Sequence, residues 1–228
     1  MDSIYEIIMD LPLFKGVSRE KISELVEKNR FHFLKYGNNE LIISAGDPCK
    51  HVRFVISGKA RIEISSSNKK ILISEVISAP NVIGPDYLFG KDTYYPFSVY
   101  AEGNCGLLQI DKADYINILL SDKVFLFNIL NSLSRNYQKV TNGILSLSSG
   151  SIAERLAFLV ISLTQKGGED IRLKFKQKDF CSMLSTQRTS FVNALNALKE
   201  EGSIDFTSTE IVIKSREKML EILHASED

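Results

Sequence analysis

The chain has 228 residues, and its 28 basic and 28 acidic side chains give a formal net charge of zero. Its hydrophobic fraction of 44% is ordinary for a globular protein and sufficient for one or two domains. No apolar run approaches the ~18 residues of a membrane span, and Met1–Asp10 is acidic, unlike the basic start of a signal peptide. The three cysteines, Cys49, Cys105 and Cys181, lack metal-site spacing. We therefore expect a cytoplasmic protein with reduced cysteines.

The chain up to about residue 120 is predicted to be mainly β-structure. Two helices come first, one at Ser3–Asp10 and one from Ser18 to Asn29. Short β-prone runs then alternate with turn-forming residues, among them Gly58 and Gly103–Asn104, which is typical of an antiparallel sandwich or roll. The predicted strands are Phe31–Tyr36, Leu41–Ser44, Val52–Ser57, Ala60–Ser65, Ile71–Ile77, Ser98–Ala101 and Cys105–Ile110.

A short helix is predicted at Lys112–Leu120, and a long helix follows it. The apolar residues of the long helix alternate spacings of four and three, which makes a 3.5-residue repeat. A buried core helix could share this pattern, but the narrow seam favours a two-stranded coiled coil that pairs two copies of the chain. A break at Ser146–Gly150 ends the helix and marks a domain boundary. The seam consists of Leu126, Leu130, Leu133, Tyr137, Val140, Ile144 and Leu147.

The segment Lys176–Ile204 predicts two short helices around a tight turn. Ser185 and Thr186 lie in the turn and are candidates to cap the second helix. Such helix pairs occur in many helical domains, so this segment alone leaves a helix-turn-helix and an ordinary helical pair both open. The expected apolar faces are Phe180, Met183 and Leu184 in the first helix, and Phe191, Leu195 and Leu198 in the second.

The flanking segments favour a winged helix-turn-helix. Ile171–Lys176 alternates apolar and basic residues like a half-buried strand, and Ser203–Lys214 has apolar residues on both sides of a turn, like a β-hairpin. The stretch from Arg172 to Arg188, both included, contains five basic residues and one acid. Such a local excess of positive charge on a neutral chain suits contacts with phosphates on one face. The polar face of the second helix carries donors for base edges in a major groove. The candidate DNA-binding residues are Lys176, Lys178, Gln187, Arg188, Thr189, Ser190 and Asn193.

With this order of elements the chain resembles the Crp/Fnr family of bacterial transcription regulators. The best local matches are Leu11–Phe14, Gly46–Pro48, Val55–Ile62, Val82–Gly84 and the helix-turn-helix, and together they extend over nearly the whole chain. The resemblance implies an α+β fold: an N-terminal β-roll (a double-stranded β-helix or jelly roll) of the cyclic-nucleotide-binding type, a long dimerisation helix and a C-terminal winged helix-turn-helix. It also implies a homodimer that binds double-stranded DNA at an inverted repeat, with RNA polymerase as a further candidate partner. The corresponding domains are predicted at residues 1–120, 121–148 and 149–228.

The chain departs from this family at the cyclic-nucleotide cassette. Members that bind cyclic nucleotides carry Gly-Glu-Leu followed by Arg-Ser, whereas this chain has Gly84-Pro85-Asp86 and, counted without gaps, Tyr95-Pro96. A cyclic phosphate needs a cation and hydrogen-bond donors. Arg and Ser would supply them at these two positions, whereas Tyr95 has no charge and Pro96 has no donor. We therefore expect no binding of cAMP in the usual way, and control by another effector or by none. Candidate pocket residues, for which a core role is the alternative, are Gly84, Asp86, Tyr95, Phe97, Tyr100, Tyr137, Val140 and Thr141.

Other cofactors and an enzyme activity have less support. The oxygen-sensing branch of the family holds an iron–sulfur cluster on closely spaced N-terminal cysteines, which this chain lacks. Haem remains an option. The chain has no nucleophile elbow, phosphate loop or histidine-rich metal set, so we expect neither an enzyme nor a metal site. The alternative function is a regulatory or dimerisation module without DNA binding. Candidate haem ligands are His32, His51, Cys49, Cys105 and Met9.

Overall fold

The computed structural model describes residues 2–66, 69–165 and 167–224. Their contacts divide the chain into two compact units, residues 1–61 with 77–136 and residues 62–76 with 137–228. The division at residues 120 and 148 that the sequence suggests stays a prediction. Within the described residues, no single helix is long and apolar enough to cross a membrane; one bent helix pair, residues 112–121 with 123–138, passes on length and composition alone.

The elements follow the general order expected from the sequence, but β5 and α8 were not expected. The helices are α1 (Asp2–Asp10), α2 (Arg19–Lys28), α3 (Lys112–Ser121), α4 (Lys123–Ser149), α5 (Ile152–Leu163), α6 (Gln177–Met183), α7 (Arg188–Glu200) and α8 (Arg216–His224). The strands are β1 (Phe31–Tyr36), β2 (Leu41–Ile43), β3 (His51–Ser65), β4 (Ile71–Ser78), β5 (Asn81–Ile83), β6 (Phe97–Asp111), β7 (Glu169–Phe175), β8 (Ile204–Phe206) and β9 (Glu210–Ile213). Two short 3-10 turns lie at Pro12–Phe14 and Pro85–Tyr87.

The first unit is an antiparallel β-roll. Strand β1 pairs along its whole length with β6, β2 pairs with β6 as well, and β5 pairs with β3. Alternate side chains of these strands are buried, as a sheet with one apolar face requires. Phe14, from the Leu11–Phe14 motif, packs edge-on against Phe54 of β3 and Phe125 of α4, with ring centroids 6.3 and 5.6 Å apart. This aromatic contact joins the N-terminal segment and the start of α4 to the roll.

Two predicted turns are wrong, because Gly58 and Gly103 lie inside continuous 15-residue strands. Both glycines have positive φ, +72° and +75°, which matches irregular positions in a strand rather than chain reversals. At Gly58 a Cβ atom would collide with the backbone carbonyl of Asn104, so only glycine fits. Strands β3 and β6, with 15 residues each, are therefore more than twice as long as any of the runs predicted for them from the sequence.

The second unit is a winged helix-turn-helix together with the β3–β4 hairpin, which comprises residues 62–76. Strand β7 pairs with β4 on one side and with β9 on the other, and β9 pairs with β8. Helices α5, α6, α7 and α8 cover this sheet with a shared apolar core. At its centre the rings of Phe175 and Phe180 stack at 4.4 Å, and Phe191 lies 5.6 Å from Phe180. The wing predicted at Ser203–Lys214 is thus the hairpin of β8 and β9.

Candidate nucleic-acid interface

Helices α6 and α7 are joined by a tight turn at residues 184–187. Leu184 donates its backbone N–H to Phe180, and Thr186 donates to the carbonyl of Cys181, which closes the end of α6. Ser185 adopts φ +48°. The predicted caps Ser185 and Thr186 are wrong, because α7 begins one residue later, after Gln187. No side chain caps this end of α7, so its first backbone N–H groups are available to an anion such as a phosphate.

One face of α7 is anchored in the core and the other is exposed. Phe191, Leu195 and Leu198 are buried, as the periodicity predicts. The rings of Phe175 and Phe180 hold Phe191 from two sides, which fixes the rotation of the helix about its axis. The residues thereby left exposed on α7 include Arg188, Thr189, Ser190 and Asn193. The surface that the sequence predicts to contact bases is therefore exposed to solvent.

An open cleft on the surface of the helix pair brings α6 and α7 residues together. Lys178 and Arg188 both line it, so two of the predicted cations share one surface. The prediction that Met183 is buried is wrong, because its side chain is 42% exposed and the face is closed by Phe180 and Leu184 instead. The cleft residues that the sequence analysis missed are Gln177, Ser182 and Thr186. The spacing of four between Lys178 and Ser182, which is one face of a helix, could have indicated Ser182.

The charges around the interface leave it cationic. Asp179, the one acid in the basic stretch, is paired with Lys70 at 3.0 Å. Arg172 is paired with Asp170 at 2.9 Å, and this carboxylate raises the pKa of the guanidinium. Arg172 therefore has an acidic partner within the chain, whereas the candidate residues Lys176 and Lys178 are exposed. Buried Cys181 lies beneath Arg188; burial raises the pKa of its thiol, and Arg188 only partly offsets this.

Arg155 of α5 holds the turn between the two helices. Its Nε donates to the carbonyl of Gly150 at 2.9 Å, and its Nη1 donates to the carbonyl of Leu184 at 2.8 Å. Gly150 immediately precedes the capping box of α5, in which Ser151 and Glu154 exchange hydrogen bonds at 3.1 and 3.2 Å. One guanidinium thus connects the chain before α5 with the end of α6. The sequence analysis did not single out Arg155.

The seam of α4 is exposed where the structure describes it. Leu126, Leu130, Leu133 and Val140 are each more than one-third exposed, and Tyr137 is 74% exposed. The side chains of Ile144 and Leu147 lie outside the described residues. A row of large apolar side chains at a 3.5-residue spacing on a helix surface matches the pattern of a coiled-coil partner site.

The candidate effector residues of the roll are partly core residues. Tyr95 is 1% exposed, its ring lies 5.5 Å from Phe97, and its hydroxyl donates to the His51 carbonyl at 3.1 Å. Burial, together with Cys49, raises the pKa of Tyr95. Tyr95, which the count without gaps places at the phosphate-binding arginine of the family pattern, is therefore a buried side chain without a positive charge. The alternative that these aromatic residues belong to the core fits Tyr95 and Phe97.

The remaining candidates of the cassette do not supply a phosphate site either. Gly84 has φ +50° and packs so closely on the Phe97 ring that a Cβ atom would overlap it. Asp86 accepts a hydrogen bond from Asn136 at 3.0 Å, and burial raises the pKa of its carboxyl. Tyr100 lies under the guanidinium of Arg61, 5.3 Å from the ring centre. The residues in this place do not fit a cyclic phosphate, since the carboxylate of Asp86 repels an anion. The other candidates, Tyr137, Val140 and Thr141, are exposed residues of the second unit.

The candidate haem ligands are dispersed. His51 is bonded through Nδ1 to Asp111 at 2.7 Å. Cys49 and Cys105 are buried, and burial raises the pKa of both thiols, which disfavours the thiolate that binds metals. His32 and Met9 are exposed. Among the residues that the structure describes, no three His, Cys, Asp or Glu side chains are grouped for a metal ion.

Comparisons with known proteins identify two known domain types in this chain. Residues 33–122 match the cyclic nucleotide-binding domain, and residues 154–222 match the Crp-like helix-turn-helix domain. The regulatory protein YeiL of Escherichia coli O157:H7 is 28% identical over 138 residues, which is 60% of this chain and 60% of YeiL. The cAMP-activated global transcriptional regulator Vfr of Pseudomonas aeruginosa is 20% identical over 190 residues, covering 80% of this chain and 89% of Vfr. The catabolite activator protein of Thermus thermophilus is 19% identical and aligns over 94% of this chain and 99% of its own chain, with a TM-score of 0.54. This match shows a similar fold.

Proposed function

Since the chain belongs to the Crp/Fnr family of DNA-binding transcription regulators, we propose that it reads an inverted-repeat operator as a homodimer, with α7 in the major groove. The observation that carries the proposal is the exposed polar face of α7, which begins at an uncapped helix N-terminus and is held in place by Phe191. The match to the Crp-like helix-turn-helix favours this function over a regulatory module without DNA binding.

Each exposed residue of the interface has a role that its chemistry suits. The fork of Arg188 can donate to O6 and N7 of a guanine, which makes it the main base-reading residue. Thr189 and Asn193 then read neighbouring base pairs. Ser190 and Lys178 hold phosphates and so fix the register without reading sequence, while Gln187 can do either. Lys176 adds a further cation for the backbone.

Two copies pair along the seam of α4 in this proposal. The exposure of Leu126, Leu130 and Leu133 supports it, because a coiled coil would remove these side chains from water. The pairing would place two α7 helices about 34 Å apart, one turn of DNA, and so match the two halves of an operator. RNA polymerase is a further partner that fits a regulator of this family.

The effector, if the protein has one, is proposed not to be a cyclic nucleotide. Vfr is cAMP-activated by its name, but the position of the phosphate-binding arginine holds buried Tyr95, and Asp86 adds a carboxylate close by. A different ligand, or a change in the pairing of α4, would act by shifting the break at Ser149–Gly150 and with it the spacing of the two α7 helices of the dimer. No observation favours haem over other ligands.

Selection of DNA from a random pool by the purified full-length protein tests the proposal. We expect enrichment of an inverted repeat, and we expect added cAMP to leave the affinity unchanged. Arg188→Ala should weaken binding by ~1–3 kcal/mol and relax the preference at one position in each half-site. Lys199→Ala is the control, because Lys199 lies on the same helix but pairs with Asp205 at 2.8 Å. An Arg188→Ala variant that binds like the wild type would show that the register on α7 is wrong, and strengthening by cAMP would overturn the effector proposal.

A further inference from the structure

A carboxylate is buried in the β3–β4 hairpin where it meets the winged helix. Glu75 of β4 is only 2% exposed. It lies at an irregularity in the pairing of β4 with β7, because Ser74 faces Arg172 and Val76 faces Glu169, three residues apart on β7. Asp170, in the extra step of β7, has φ +47°. Irregularities of this kind redirect side chains, and here the side chain of Glu75 reaches the C-terminal end of α5.

The loop after α5 is shaped around this carboxylate. The backbone N–H of Gln165 donates to both oxygens of Glu75, at 2.8 and 3.1 Å. Gly168, in the same loop, leaves the space that the carboxylate fills, since a Cβ atom there would overlap Oε2 of Glu75. The chain enters the hairpin from the first unit after Arg61 and returns to that unit at Ile77. The Glu75 carboxylate therefore adds a buried polar contact to the β4–β7 pairing and the Lys70–Asp179 ion pair, which also hold this hairpin on the winged helix.

Among the described residues 2–66, 69–165 and 167–224, no ion pair of Glu75 is found. Arg216 of α8 acts on Glu75 electrostatically, but it donates to the hydroxyl and carbonyl of Thr164, both at 3.2 Å, and to the Ile161 carbonyl. Burial lowers the pKa of this arginine. From β7, Glu169 and Arg172 flank the irregularity, and Arg172 is paired with an acid of its own strand. Burial accordingly dominates and raises the pKa of Glu75 to about 7, with Gln165 and Arg216 offsetting it in part.

We propose that Glu75 is a proton-operated latch that holds the β3–β4 hairpin on the sheet of the winged helix when it is protonated and releases it when it is ionised. The protonated side chain keeps a carbonyl oxygen for the N–H of Gln165 and carries no charge into the buried site. The ionised side chain carries a charge into a site that is only 2% exposed, and the resulting desolvation cost is relieved when β4 leaves β7.

The direction of the pH effect follows from the raised pKa. Docking is favoured below the ordinary carboxyl pKa of about 4.5, and the preference is lost as pH rises through about 7. Between these values the docking equilibrium should fall about tenfold for each pH unit. From pH 5 to pH 8 the total loss should be on the order of 50-fold. The latch therefore opens as the solution becomes alkaline.

Hydrogen exchange of the full-length protein tests the latch without DNA, so its result does not depend on the proposed operator. Amides in residues 71–76 and 172–175 are followed from pH 5 to pH 8, with rates corrected for the intrinsic pH dependence of exchange. We expect their protection to fall on the order of 50-fold over this range, while amides of β6 in the first unit keep theirs. Glu75→Gln, which is neutral and keeps the acceptor, should hold the protection at its low-pH value throughout. Glu200→Gln, at an exposed acid of the same unit, should behave like the wild type.

A carboxyl titration of the wild-type protein by ¹³C NMR tests the latch proposal even if the Glu75→Gln variant fails to fold. A carboxyl resonance assigned to Glu75 should titrate near pH 7. Titration near the ordinary value of 4.5 would overturn the proposal. Protection at residues 71–76 that is constant with pH, or that increases as pH rises, would also overturn it.

Discussion

Arg155 contacts the turn before α7, and substitutions of Arg155 therefore test how α7 is positioned. Arg155→Met removes both donors but keeps a side chain of similar length, whereas Arg155→Lys keeps a charge that can reach one carbonyl at a time. The carbonyls at stake are those of Gly150 and Leu184, at 2.9 and 2.8 Å from the guanidinium. If the guanidinium fixes the turn, the lysine variant should fall between the wild type and the methionine variant.

The magnitude follows from the two hydrogen bonds. A hydrogen bond from a charged donor contributes ~1.5–3 kcal/mol to stability. Because Arg155 is half-buried, water can replace part of what is lost, and we expect ~2–4 kcal/mol for Arg155→Met. Arg155→Lys should cost about half as much, since one of the two bonds can re-form. The affinity for DNA should fall for all sequences alike, because Arg155 contacts the turn rather than a base.

Urea denaturation and DNA titration of the same preparations measure these effects. The control is Arg135→Met, because the Nε of Arg135 donates to the Asn131 carbonyl of its own helix and the side chain is exposed. This control should change stability by less than about 0.5 kcal/mol. An Arg155→Met variant as stable as the control would refute the reasoning, and so would a lysine variant that is indistinguishable from the methionine variant.

Three further predictions concern the proposed dimer, the proposed phosphate contacts and the roll. Leu133→Glu places like charges across the seam and should turn the dimer into a monomer in sedimentation, whereas Ser134→Glu, one residue off the seam, should leave it intact. Lys178→Ala should weaken binding to all DNA sequences similarly and lower the salt slope by about one, as read from titrations at several salt concentrations. Gly58→Ala should lower the melting temperature far more than Gly103→Ala, because both have positive φ but only Gly58 faces a backbone carbonyl; equal losses would contradict this.

The elements that the sequence predicted well are those that local patterns determine. Strand β1 was predicted with its observed bounds, and Ser18, followed by Glu20, was correctly placed at the start of α2. In both cases the signal lies within a few residues, in alternation or in a cap. The seam of α4 was visible for the same reason, since a heptad repeat is a property of one helix.

The errors arose where a distant partner decides the local conformation. Gly58 looks like a turn in sequence, and only the close approach of Asn104, on another strand, makes it a position inside β3. Met183 has the spacing of a buried residue, but α6 ends there, and Phe180 with Leu184 is sufficient to close the face. A pattern of apolar residues shows that a face exists, but it does not show how far the helix that carries it extends.

The polar residues that organise the second unit share a reason for being hard to predict. Arg155 and Glu75 both act on backbone groups, the first on two carbonyls and the second on an N–H. Every residue type carries the carbonyl and every type except proline carries the N–H, so the partner leaves almost no trace in the sequence. The two contacts lie at opposite ends of α5, whose 12 residues make a rod of about 18 Å. Helix α5 is attached at one end to the turn before α7 and at the other to the β3–β4 hairpin. Because a packed helix moves as a unit, α5 links these two segments. The apolar anchoring of α7 is thus visible in the sequence, whereas the polar contacts at the two ends of α5 appear only in the folded chain.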